Sequence, residues 1–330
     1  MPKDSEFRAY NFIENSLKKN NWNTKNPSRY DDGEVYTQGE CLNNKIIKQY
    51  LVNDKPENVV IVKSNCFWII EAKSNFKQID EAKKDAVEYC NKLNQKKILA
   101  PFFSIVVGDS DNSFIVKNYF LHKSKWIEIQ INKKKSTGLL NKEVLHRILN
   151  ENTPYLNDVD LPDYLYFQKA IAINEILHNG GINKNLRSRV VSTILLALLK
   201  DNNINRENNC LALITELNSR AEEILFQKKK NEFISVISIP RPPTPDNYLK
   251  FRKAMLDTIQ ELDEINIRSA MNSGTDILGR FYEQFLKYGN GAKEIGIVLT
   301  PRHITKFATN VSQINNMDYV LDPACGTGGF

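Results

Sequence analysis

Residues 5–19 place apolar side chains at Phe7, Tyr10, Ile13 and Leu17, the spacing of one helix face, with Glu6 and Glu14 near that stripe. The polar, turn-rich stretch 20–39 predicts a surface loop, and 42–51 a short second helix. Two runs rich in β-branched and aromatic residues follow, Val59-Val60-Ile61-Val62 and Cys66-Phe67-Trp68-Ile69-Ile70. Only Lys63-Ser64-Asn65 separates them, so the pair predicts a β-hairpin. Helical spacing returns over 76–94 through Ile79, Ala82, Ala86, Tyr89 and Leu93. The segments 102–108, 114–121 and 126–131 read as further strands, which makes the first part of the chain a mixed α/β sheet with flanking helices.

Past Leu139 the strand signal stops. Residues 155–162, bracketed by Pro154 and Pro162, read as a linker that closes the first domain. Helical stripes then recur: 167–179, ending at Gly180-Gly181; 186–200, through Val190, Val191, Ile194, Leu195 and Leu198; and 212–231. Thr244-Pro245 supplies a cap and a first-turn proline for a long helix over 246–269, whose stripe of Phe251, Met255, Ile259, Leu262 and Ile265 is core-like. Residues 151–270 are therefore expected to be an all-α domain. Helices are predicted again at 276–287 and 302–311, and a strand at Tyr319-Val320-Leu321.

A length of 330 residues allows two or three domains, and 41% hydrophobic with 25% charged residues argues against global disorder. The net charge of +6 permits a polyanionic partner without requiring one. Cys41, Cys66, Cys90, Cys210 and Cys325 show no paired spacing, so neither a zinc site nor a disulfide framework is indicated, and a cytoplasmic location is expected. No signal peptide opens the chain, and the longest apolar run, 194–199, is too short to span a bilayer.

The hairpin carries chemistry at its ends. Pro56-Glu57 precedes its first strand and Glu71-Ala72-Lys73 ends its second. Two carboxylates at the ends of adjacent strands can share Mg²⁺, which prefers a few carboxylate oxygens plus waters. Lys73, two residues beyond Glu71, falls on the same face of its strand, where its ammonium can orient an attacking water. Glu57, Glu71 and Lys73 form a candidate hydrolytic site with Glu57 and Glu71 as metal ligands. This pattern resembles the PD-(D/E)xK nuclease domain found at the amino end of type I restriction subunits and of fused, single-chain restriction-modification enzymes. The resemblance implies an Asp where this chain has Glu57, with Asp54 three residues earlier as a substitute ligand, and a further acid where Glu6 stands. It also implies a Gln where Asp85 stands, four residues before Tyr89. Lys133-Lys134-Lys135 is a solvated loop or a phosphate contact.

The last ten residues, 321–330, are glycine-dense where a strand should turn into a helix. Glycines there let the backbone approach a ligand closely, and the following helix offers unpaired N–H groups. The string Asp322-Pro323-Ala324-Cys325-Gly326-Thr327-Gly328-Gly329-Phe330 closely resembles the S-adenosylmethionine-binding motif I of adenine-N6 DNA methyltransferases of the type I kind. The resemblance, continuous from Ile277, implies that Asp322, Pro323, Ala324, Gly326 and Gly328 surround the methionine end of the cofactor. It places Thr300-Pro301 in the same pocket, although Thr then Pro is also an ordinary helix start. The family's catalytic motif, Asn or Asp followed by two prolines and an aromatic, is absent: Asn26-Pro27-Ser28 lacks the second proline, and Arg241-Pro242-Pro243 lacks the amide or carboxylate.

The chain thus reads as the front of a longer, fused restriction-modification enzyme. A nuclease domain is expected over 1–150, a helical connector over 151–270, and the first strand of an incomplete S-adenosylmethionine-dependent methyltransferase domain over 271–330. The implied partners are double-stranded DNA and either a C-terminal methyltransferase and target-recognition part or a separate specificity subunit. The alternative is a nuclease fold made inactive by Glu57 and Asp85, which only grips DNA or docks a partner. His122, His146 and His178 are isolated and read as surface or packing residues.

Overall fold

A two-residue turn sets the register of the first sheet in the computed structural model, which describes residues 4–159, 163–201, 203–271, 281, 285, 300 and 302–325. Asn65, at φ 57°, closes the turn between β2 (Asn58–Lys63) and β3 (Cys66–Lys73), a left-handed conformation that asparagine tolerates better than most residues. β1 (Val35–Thr37) pairs antiparallel on the other side of β2. The helix α3 (Ile79–Leu93) carries the chain back across the sheet, so β4 (Phe102–Asp109) lies parallel to β3. Antiparallel β5 (Ser113–His122) and β6 (Lys125–Glu128) complete the spatial order β1-β2-β3-β4-β5-β6. The predicted mixed sheet and hairpin are both present.

Strand alternation gives each face of the sheet its own core. Phe67, Ile69, Phe103, Ile105 and Val107 pack under α2 (Lys45–Leu51) and α3. Trp68, Ile70, Phe102, Val106 and Phe120 pack on the opposite face, under α1 (Asp4–Lys19) and α4 (Lys142–Glu151). A buried hydrogen-bonded chain runs through this second core. Trp68 Nε1 donates to Ser104 Oγ (2.8 Å), the Ser104 hydroxyl donates to Asn118 Oδ1 (2.6 Å), and Asn118 Nδ2 donates to Ser136 Oγ and to the Gly138 carbonyl, both at 2.9 Å. Asn118→Leu removes three of these bonds while leaving their partners buried. It is expected to cost about 2–3 kcal/mol, read as a lower midpoint in urea denaturation.

Two predicted irregular stretches hold strands. The loop over 20–39 contains β1, because Val35 and Tyr36 are buried against β2. The linker over 155–162 opens with β9 (Tyr155–Leu156), which pairs parallel with β7 (Gln130–Ile131); β7 also pairs with β8 (Lys134–Lys135) in a second small sheet. Leu156 is buried in the core under α4, which gives this short strand its reason to form. Lys135 of the basic run lies 2.7 Å from Glu128.

The helical stripes after residue 160 become α5 (Asp163–Asn179), α6 (Lys184–Lys200), α7 (Cys210–Gln227), the single turn α8 (Ile234–Ile237), α9 (Tyr248–Glu264) and α10 (Ile267–Met271). Asn183 and Asn209 cap α6 and α7 by accepting backbone N–H bonds. The helix expected over 246–269 is two helices, because Asn266 adopts a left-handed conformation (φ 50°) between them. Thr244 makes no capping bond; its Oγ1 accepts from Asn247 Nδ2 instead, and Pro245 opens a single tight turn before α9. At Gly180 a Cβ would fall 2.4 Å from Ala254 Cβ, so glycine is what lets the end of α5 meet α9.

The helical part meets the sheet through polar contacts, buried at Arg206 and more open at Lys19. The Arg206 guanidinium reaches Asp263 on α9 and Ser113 at the start of β5. Lys169 on α5 and Lys19 on α1 both pair with Glu264 on α9.

The last described helix, α11 (Arg302–Val311), forms as expected, with Phe307 and Val311 exposed. Tyr319-Val320-Leu321 is exposed and pairs with no strand among the described residues. A strand exists only by pairing, and no described strand pairs with this stretch. Among the described residues no helix is long and apolar enough to cross a membrane.

Candidate functional site

The pleat of β3 turns Glu71 and Lys73 toward α3, while Ala72 between them packs on the opposite face. α3 is seated by its buried Ala82, Ala86, Cys90 and Leu93, and that seating brings Glu81, Asp85 and Tyr89, one turn apart, alongside the end of β3. Lys73 Nζ lies 2.8 Å from Asp85 Oδ2, 3.4 Å from Glu71 Oε1 and 3.5 Å from Glu81 Oε1. The other oxygen of Glu71 accepts the backbone N–H of Glu57 at 3.4 Å. Glu57 is half-buried, and its charge acts on the Glu71 carboxyl. The structure thus sets the Lys73 ammonium and the Glu57 backbone N–H on the two oxygens of Glu71.

Burial governs the electrostatics. The Glu71 side chain is 8% exposed, and desolvation pushes its carboxyl up to about 7, with Glu57 adding to the rise and Lys73 opposing it. Burial alone would lower the Lys73 ammonium, but Asp85 and Glu71 together hold it well above the ordinary lysine value. The two partners do not move as a simple ion pair would. The distances explain this: Lys73 leans on Asp85, while Glu71 keeps a weaker, longer contact. The Tyr89 hydroxyl is raised to about 12 by burial and by the charges of Glu71, Asp85 and Asp54, which places it in the same acidic field.

Other predicted residues stand elsewhere. Asp54 is engaged by Lys92 on α3, which also pairs with Glu88 at 2.7 Å. Glu6 lies in α1, one turn before Tyr10, and its side chain is outside the described residues. Tyr10 is raised by burial and by Glu57 and Glu40, so α1 does reach the Glu57 end of the site, through a tyrosine that the sequence places only in an apolar stripe. Glu81 was also missed. Its signal was available in the i, i+4 spacing of Glu81, Asp85 and Tyr89.

Among the described residues no group of three or more Asp, Glu, His or Cys side chains is arranged to hold a metal ion. Mg²⁺ commonly takes one or two carboxylates and fills its remaining positions with water, so Glu57 and Glu71 suit it in kind. The Lys73 ammonium at present shares the Glu71 oxygen that such an ion would need.

At the far end of the chain, Asp322 Oδ1 accepts the Ala324 N–H at 2.9 Å and shapes the first half of the motif loop. Asp322, Pro323, Ala324 and Thr300 are exposed; Pro301, Gly326 and Gly328 lie outside the described residues, as does most of the helix expected over 276–287. The described part of this stretch supplies a carboxylate and a turn but does not enclose S-adenosylmethionine.

Residues 273–330 match the N-6 DNA Methylase family. The chain is 54% identical over 68 residues to the Type II restriction enzyme and methyltransferase RM.BcgI of Heyndrickxia coagulans, an overlap of 20% of this chain and 11% of that protein. It is 36% identical over 84 residues to the Type I restriction enzyme EcoEI methylase subunit of Escherichia coli, an overlap of 26% of this chain and 17% of that subunit. The matches therefore span less than a fifth of the length of either curated relative. No solved structure matches the chain. Residues 273–330 are thus similar to N-6 DNA methylases and to restriction-modification methylases, a family that uses S-adenosylmethionine as methyl donor.

Proposed function

We propose that this chain belongs to a restriction-modification protein that joins two activities. One is Mg²⁺-dependent hydrolysis of DNA phosphodiesters by a PD-(D/E)xK-like domain over residues 1–150. The other is adenine-N6 methylation of DNA by a domain of which 271–330 is a part, with 151–270 as the connector. The methylase half is supported by the family match at 273–330 and by the two restriction-modification relatives. The nuclease half is carried by one observation: Glu71 and Lys73 project together from the end of β3, beside Glu57. Double-stranded DNA is the substrate, and a target-recognition part or separate specificity subunit supplies the sequence choice.

In this reading Glu57 and Glu71 would hold the ion, whose chemistry would be to acidify a water and offset charge on the phosphodiester. Lys73 is an ammonium held by Asp85, so it acts as a donor that orients the attacking water, not as a base. Glu71 must ionise before it can bind a cation, because burial favours its neutral form. A second reading, a DNA-gripping module without hydrolysis, is favoured by the same closed arrangement of Lys73 among three carboxylates.

The two readings part in a nicking assay on unmethylated supercoiled DNA with the full chain. The nuclease reading expects nicking that requires Mg²⁺, stops with EDTA and is absent in Lys73→Ala, whose circular dichroism matches the parent. A folded parent that binds DNA in a salt-sensitive way but never nicks it establishes the second reading instead.

A further inference from the structure

The acidic side chains around Lys73 are not equivalent. Glu71 comes from the same strand and is almost fully buried, whereas Asp85 and Glu81 come from α3 and face the solvent side of the ammonium. The shortest contact, 2.8 Å, goes to Asp85, and the contact to Glu71 is 3.4 Å. One oxygen of Glu71 is tied to the Glu57 N–H, so the oxygen facing Lys73 is the one left to share. A cation arriving at Glu57 and Glu71 would meet the Lys73 ammonium as a like charge competing for that oxygen. The lysine needs another anion to lean on if it is to yield Glu71 and still remain charged beside it.

We propose that Asp85, seconded by Glu81, is a positioning residue: an anionic berth on α3 that takes the Lys73 ammonium off Glu71 when a divalent cation binds there. The inference rests on the nuclease reading and deepens it. α3 is fixed against the sheet by buried Ala82, Ala86, Cys90 and Leu93, so the berth is rigid and the lysine is the moving part. Without the berth, the ammonium falls back on Glu71 and excludes the ion. With it, the same ammonium stays protonated next to the ion without occupying its ligand.

The test is Mn²⁺ binding by the full chain, measured calorimetrically for the parent, Asp85→Asn, Lys73→Met and their combination. Asp85→Asn keeps the size and loses the charge; it is expected to weaken Mn²⁺ binding about tenfold, the scale of coupling between contacting charges. In the Lys73→Met background the same change is expected to shift the dissociation constant less than about twofold, because no ammonium remains to be berthed. Lys73→Met alone tightens Mn²⁺ binding, and Asp85→Glu, which keeps the charge, restores the parent affinity. Thermal unfolding of each variant shows that it is folded, which the half-exposed position of Asp85 favours. Equal weakening by Asp85→Asn with and without Lys73 overturns the berth alone. Parent Mn²⁺ binding that Glu71→Gln leaves intact overturns the nuclease reading, and the berth with it.

Discussion

Glu71→Gln is expected to abolish Mg²⁺-dependent nicking, by about 10³-fold or more, and at the same time to make the fold more stable above neutral pH. The second half follows from the direction of the Glu71 shift. Its carboxyl rises from an ordinary 4.5 to about 7 because burial penalises the charged form. The folded state therefore favours the neutral acid. That contribution is fully present below pH 4.5, where the group is neutral folded or unfolded, and it is lost as the pH climbs through about 7. Above that point the folded parent carries a buried anion at a cost of at most about 3 kcal/mol. Glutamine has no such titration, and its carbonyl still accepts from the Glu57 N–H. Melting temperatures of parent and variant are expected to coincide near pH 5 and to separate by pH 8, with the variant higher. A variant that is less stable than the parent across the whole range means that the Lys73 contact outweighs desolvation and Glu71 is charged at rest. The same ionisation governs metal loading: Mn²⁺ affinity in the parent is expected to fall about tenfold per pH unit below 7 and to level above it.

The parts of the fold that were legible in the sequence are those with a local period. The β2–β3 hairpin announced itself through two β-branched runs and a short polar gap, and α3, α5, α6 and α9 through apolar stripes. Elements made by pairing alone were not legible. β1 and β9 are three and two residues long, too short for any period, and exist because a neighbouring strand offers them an edge. Tyr319-Val320-Leu321 is the converse case, since its composition is strand-like but no partner lies beside it among the described residues. The same division holds at the site. Glu71 and Lys73 were placed together by strand alternation, a local rule. The pairing of Lys73 with Asp85, of Asp54 with Lys92, and the reach of Tyr10 to Glu57 all depend on how two helices seat on the sheet, which no single segment encodes.

The seam between the sheet and the helices is expected to fail when Arg206 is replaced by Met. Arg206 Nη2 lies 2.6 Å from Asp263 Oδ2, and Nη1 donates to Ser113 Oγ at 2.6 Å and to the Phe114 carbonyl at 3.2 Å. The two charged side chains are 1% and 5% exposed, so neither can turn to water. Arg252 stitches the same place from α9, donating to the Arg206 and Asn208 carbonyls and to the turn at Asp111. Removing one partner of a buried pair leaves the other charge uncompensated, and the expected loss is about 3–5 kcal/mol. Replacing both, as Arg206→Met with Asp263→Leu, is expected to recover most of it, because a buried pair adds little over an apolar contact of similar size. The loss also has a spatial signature. Trp22, Trp68 and Trp126 all belong to the sheet part, whereas most of the helix lies beyond residue 160. In urea, tryptophan fluorescence therefore reports the sheet, and far-ultraviolet circular dichroism reports mainly the helices. Where the seam holds, the two transitions coincide; in Arg206→Met they are expected to separate, with the parts unfolding at different midpoints. Coincident transitions with an unshifted midpoint would assign the joining of the two parts to the other contacts that cross the seam, Lys19 with Glu264 and Thr137 with Asn266.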